Sequence, residues 1–120
     1  MRRRGARLGG LLQRARGGVG RAVARWTEAA ARGHAIAYVY LGNLLLNERQ
    51  DVDGAEKAYR AAIQVDPGHA GAHFNLGNLL KNERKDVDGA EKAYRAAIEA
   101  NPRDANAHNN LGDLLRNEQQ

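Results

Sequence analysis

Seventeen residues, Asn47 to Ile63 (NERQDVDGAEKAYRAAI), return between Asn82 and Ile98 with one change, Gln50 to Lys85. They belong to a longer unit: residues 33–67 match residues 68–102 at 26 of 35 positions, and residues 103–120 begin a third copy. Repetition of this length constrains the fold more than any other feature here. Each copy is one supersecondary element that buries its apolar face only by stacking on its neighbours. A catalytic site needs its special residues once, whereas a stack needs the same packing surface again and again.

Each unit reads as two helices. Ala72, Leu76, Leu79 and Leu80 recur at helical spacing and make one apolar face. In the second helix the face is Ala90, Ala93, Tyr94, Ala97 and Ile98, and Pro102 closes the unit because proline cannot donate to the helix ladder. The second helix opens at Asp86 or Asp88, where Asp88 and Glu91 have the spacing of a capping box. The pattern predicts helices over 22–31, 35–48, 52–65, 70–84, 87–100 and 105–118.

These motifs resemble the tetratricopeptide repeat family, whose pattern is an aromatic, Leu-Gly, a large residue, Ala-x-x-x-aromatic and Pro. The first unit (33–67) carries it as Tyr38, Leu41-Gly42, Leu45, Ala55, Tyr59 and Pro67. The second (68–102) has His73, Leu76-Gly77, Leu80, Ala90, Tyr94 and Pro102. The partial third (103–120) has His108, Leu111-Gly112 and Leu115, and corresponds to a first helix only. The resemblance implies an all-α fold, a right-handed α-α superhelix of helical hairpins. Histidine in the aromatic column implies looser packing there, and the turn glycine frequent in the family is missing. Upstream, residues 20–32 resemble the second helix of Sel-one-like repeats and read as a lone helix capping the first full unit.

Charge divides the chain. Residues 1–32 hold nine arginines and one acid, Glu28, while residues 33–120 hold ten basic and thirteen acidic side chains. Residues 1–19, with five glycines, are expected to form a disordered basic arm, since glycine costs ~1 kcal/mol in a helix interior. An organelle-targeting role for the arm, or contact with nucleic acid or an anionic membrane, are the alternatives. Location is otherwise expected to be cytoplasmic.

Little supports catalysis. The chain has no cysteine or serine and one threonine, Thr27, which removes the commonest nucleophiles. A calcium loop laid on Asp86 and Asp88-Gly89 would put Arg84 and Arg95 where ligating oxygens belong. His69 and His73 have zinc-motif spacing without its glutamate, and His73 and His108 read as interhelical packing residues. No enzyme, metal or cofactor is expected.

A binding groove is the remaining candidate. The resemblance places the first helices on a concave face, lined by Ile36, Val39, Tyr40, Asn43 and Leu46 in the first unit. Phe74, Asn75, Asn78 and Lys81 follow in the second, and Asn109, Asn110, Asp113 and Arg116 in the third, with Gly71 and Asn106 in the same columns. Asn43, Asn75, Asn78 and Asn110 form a carboxamide ladder similar to those in the helical arms of N-acetylglucosamine-transferring enzymes, able to grip a peptide backbone. The carboxylate-gripping subclass is excluded, because its cation places carry Val39, Asn106 and Asn110. The columns run from apolar to polar down the three copies. Either the segment around Trp26 covers the apolar end, or that end anchors a partner's side chain. The expected function is a protein–protein interaction scaffold holding a protein or peptide partner. A self-associating homo-oligomer, or a fragment of a longer repeat protein such as the accessory arm of a glycosyltransferase-like enzyme, is the alternative.

Overall fold

The structure, a computed structural model, describes residues 18–119. Six helices follow one another with short turns: α1 over 18–31, α2 Ala35–Arg49, α3 Val52–Val65, α4 Ala70–Asn82, α5 Val87–Ala100 and α6 Ala105–Gln119. There is no strand among the described residues. The helices the sequence pattern predicts are present within two residues at most ends, but α1 is already helical at the first described residue, so Gly18 and Val19 are helical. The rest of the basic arm lies outside the described residues.

α2 pairs with α3 and α4 with α5 as antiparallel hairpins, and α3 against α4 and α5 against α6 join one hairpin to the next. The result is the all-α solenoid of the repeat pattern. One hydrophobic cluster runs through the stack, from Val39 and Tyr59 through Leu76, Leu79 and Tyr94 to Leu111 and Leu114. Tyr59, Tyr94 and Leu79 are its largest fully buried side chains.

The hairpins close because two glycines have no side chain. A Cβ on Gly42 would stand 2.6 Å from Tyr59 Cε1, and one on Gly77 2.7 Å from Tyr94 Cε1, well inside van der Waals contact. The rings take the space the glycines leave. Gly112 occupies the same position in α6, and nothing lies within 4 Å of its Cβ position.

The DVDG motif is a helix start. The caps are Asp51 and Asp86, whose carboxylates accept from the Gly54 and Gly89 amides at 2.9 and 3.0 Å. A Cβ on either glycine would collide with the cap carboxylate itself, which explains why glycine sits three residues after the aspartate. Asp53 and Asp88 lie within the first turn, beside the positive helix end. The Asp88–Glu91 capping box is therefore not the device used.

The histidines of the aromatic column brace turns. His73 Nε2 stands 2.8 Å from the Pro67 carbonyl, and His108 Nε2 2.8 Å from that of Pro102. Each closes the inter-repeat turn onto the helix that follows it. His69 caps α4, its Nδ1 accepting from the Ala72 amide at 3.1 Å.

Between the two full repeats, the Arg84 guanidinium reaches back to Asp53 and, at 3.1 Å, to Glu56 on α3. Arg84 holds the Asp53 carboxyl below its ordinary range. At Glu56 burial pulls upward, but hydrogen bonds from Arg60 and Arg84 outweigh it, and the net direction is down. The inter-helix turns need backbone in the left-handed region, at Gln50 (φ 50°) and Lys85 (φ 56°).

Candidate binding groove

The groove residues come from three first helices, α2, α4 and α6, which the repeat places side by side. Their roles divide. Val39 is only 4% exposed and belongs to the core. Leu46 and Phe74 are half-buried against that core, Phe74 lying 6.1 Å from the Tyr94 ring centre. Ile36 and Tyr40 remain open at 45% and 46% exposure.

α1 lies over this apolar end. The Trp26 and Tyr40 rings are 4.8 Å apart at 45°, and Ala30 is buried. Val39 is buried in the core cluster with Ala55, Tyr59, Ala62 and Ala72, whereas the upstream helix meets Tyr40 through Trp26 and leaves Ile36 and Tyr40 open. Trp26, Tyr40, Asn43, Leu44, Asn47 and Glu48 line a hollow of about 230 Å³ there.

The asparagines are not equivalent either. Asn43 accepts from the Tyr59 hydroxyl and Asn78 from the Tyr94 hydroxyl, both at 2.5 Å. Asn110 donates to the same Asn78 oxygen at 2.9 Å, linking α4 to α6 across the groove wall. Burial pushes the Tyr59 hydroxyl up to about 12. It also raises that of Tyr94, where Asn110 works against it. Asn43, Asn78 and Asn110 therefore stabilise the hairpins as well as facing the groove. Asn75, half-buried, forms no side-chain hydrogen bond among the described residues.

Towards the polar end, Lys81 is half-buried and Asn109 exposed, while Asp113 and Arg116 pair with each other along α6. Asp113 stands where Asn43 and Asn78 stand in the other copies, beside the vacant space over Gly112. The tyrosine–asparagine bonds escape a reading by hydrophobic period, since that counts only apolar residues. Their signal is an Asn and a Tyr sixteen residues apart in both full copies. No cluster of metal-ligating side chains exists among the described residues, and no described helix is long and apolar enough to cross a membrane.

Comparison with known proteins agrees with this architecture. Family profiles described as tetratricopeptide repeat match residues 46–109 and residues 8–62. The chain belongs to the tetratricopeptide repeat family. A comparison with curated proteins finds no significant match. Among solved structures, the first repeat domain of Spaghetti (RPAP3) bound to an HSP90 peptide is similar at TM-score 0.74 and 17% identity, over 93% of this chain and 89% of that one. The Sgt2 domain from Aspergillus fumigatus aligns at TM-score 0.73 and 22% identity, over 92% and 75%. The second domain of human RPAP3, in complex with an HSP70 peptide, aligns at 0.69 and 20%, over 90% of each chain.

Proposed function

We propose that this chain is a protein–protein interaction scaffold that holds an extended peptide of a protein partner along α2, α4 and α6. One observation carries the reading: among the described residues Asn75 keeps both halves of its carboxamide free on the central helix α4, beside Asn43, Asn78 and Asn110, which are already bonded. A free carboxamide can donate to a peptide carbonyl and accept from a peptide amide at once. Ile36 and Tyr40 then receive an apolar side chain of the bound segment. Two of the similar solved structures hold HSP90 or HSP70 peptides, which supports the class of ligand. Those complexes do not extend to the identity of the partner, because Val39, Asn106 and Asn110 supply no cation for a terminal carboxylate.

Peptides selected from a displayed library on the immobilised full chain provide the test. A selected peptide should perturb the amide spectra of Asn75 and Tyr40, and Asn75→Ala should weaken its binding while leaving the melting temperature unchanged. Perturbations confined to α3 and α5 would overturn the groove. Self-association is the second reading, favoured by the unfilled space over Gly112. Light scattering that shows only monomer at micromolar concentration removes it.

A further inference from the structure

The opposite side of α4 carries a second surface. At helical spacing His73, Leu76 and Leu80 point away from Asn75 and Asn78, towards the gap between α3 and α5. A hollow of about 360 Å³ opens there, and a second of about 670 Å³, along α3 and Pro67, adjoins it through the shared Arg60 and Ile63. The floor is apolar: Ile63, Leu76, Leu80 and Ala93. The rim is cationic, with Lys57, Arg60 and Lys92, and no acidic side chain lines either hollow.

Arg60 is held by Glu56 at 3.0 Å, whereas Lys57 and Lys92 form no salt bridge among the described residues. They occupy the same place in consecutive repeats, one on each bank of the trough. Two cations that no salt bridge holds, Lys57 also acting through space on Asp53, stand above an aliphatic floor and complement one kind of ligand surface, acidic on its flanks and aliphatic between them. Nucleic acid fits less well, since single strands need a run of aromatic platforms for their bases, and the trough offers no Phe, Tyr or Trp and a single imidazole, His73, already held at the Pro67 carbonyl.

We infer that the trough between α3 and α5 docks an acidic amphipathic segment of a protein partner, independently of the concave groove. Aliphatic side chains of the segment lie on Ile63 and Leu80, and its carboxylates face Lys57 and Lys92. Charge complementarity of this kind governs selectivity and encounter rate more than total affinity, so the trough discriminates between partners by sign.

Fluorescence anisotropy on the full chain tests this with a labelled synthetic peptide bearing Glu on its flanks and Leu on the opposite helical face, and with its counterpart bearing Lys for Glu. The Glu peptide should bind with an affinity that falls as salt rises, and the Lys peptide should not bind. Lys57→Glu combined with Lys92→Glu should weaken binding roughly tenfold or more, with a circular dichroism melt like the parent's. Asn75→Ala, which weakens only a ligand of the concave groove, should leave the affinity for the Glu peptide as it is. The inference is overturned by absence of binding, equal binding of the Lys peptide, indifference to the double charge reversal, or displacement by a single-stranded oligonucleotide. Loss of binding in Asn75→Ala would move the peptide to the concave groove, ending this inference while leaving the groove reading intact.

Discussion

The Tyr94 hydroxyl donates to the Asn78 carboxamide oxygen at 2.5 Å, so the second helix of a repeat is fastened to the groove wall of its first. Asn78 also receives the Asn110 amide, and one residue thus joins three helices. Asn78→Ala should leave a buried hydroxyl without a partner and destabilise the fold by about 1–3 kcal/mol. Tyr94→Phe, which removes the donor, should cost about 0.5–1.5 kcal/mol. Denaturant unfolding measures both, and two variants as stable as the parent would show that the bond contributes nothing.

Gly77 and Gly112 occupy the same repeat position in opposite circumstances. Gly77→Ala pushes a methyl into the Tyr94 ring and should cost about 1–3 kcal/mol as an overpacked contact. Gly112→Ala meets open space in mid-helix and should stabilise by about 0.5–1 kcal/mol. Thermal melts of the pair must move in opposite directions.

Alkaline pH should unfold the chain through its buried tyrosines. Tyr59 titrates near 12 against an ordinary 10.0, so its contribution is intact below pH 10 and is lost as pH climbs through the folded value. Melting temperature should drop across that window, with phenolate absorbance from Tyr59 and Tyr94 appearing late. Tyr59→Phe should flatten the drop. A decline that begins well below pH 10 would have another origin.

Lys85 holds a left-handed conformation that side chains with a Cβ adopt at a penalty of about 1–2 kcal/mol. Lys85→Gly relieves it, with the flexibility of the unfolded chain offsetting part of the gain. The expected result is a net rise of about 0.5 kcal/mol, read as a higher melting temperature. A fall would mean that the lysine side chain contributes more than its backbone loses.

Val39→Asp should be severely destabilising, because it puts a carboxylate into the core that α2 shares with α3 and α4. The cost of an unpaired buried charge is several kcal/mol. A folded Val39→Asp protein with a normal melt would remove Val39 from the core.

The hairpins and their pairing were legible because a period of 35 residues and two apolar faces leave a stack as the simplest way to bury both. The positions of Leu76, Tyr94 and Gly77 follow from that alone. The groove was less legible, for a physical reason. Helical spacing says which side of α2 Val39 and Tyr40 occupy, but not that residues of α3 and α4 bury the first while Trp26 of α1 meets the second. Asn78 shows the same limit, since the letter is equally suited to a free surface and to a hydroxyl's acceptor. The histidines look like weakened aromatics in the repeat pattern, and only the distance from Nε2 to the proline carbonyl reveals a brace.

The contact of Tyr59 on Gly42 is repeated almost atom for atom by Tyr94 on Gly77. Each ring sets how far its two helices can lean together. Equal rotations applied in succession generate a screw, and in a solenoid the bend of the binding surface follows from that small rotation per unit. The curvature of the surface that α2, α4 and α6 form is therefore governed by rings buried between the helices. Surface residues can change without altering that curvature, and the depth of the tyrosine in its slot can alter it without changing any residue on the surface.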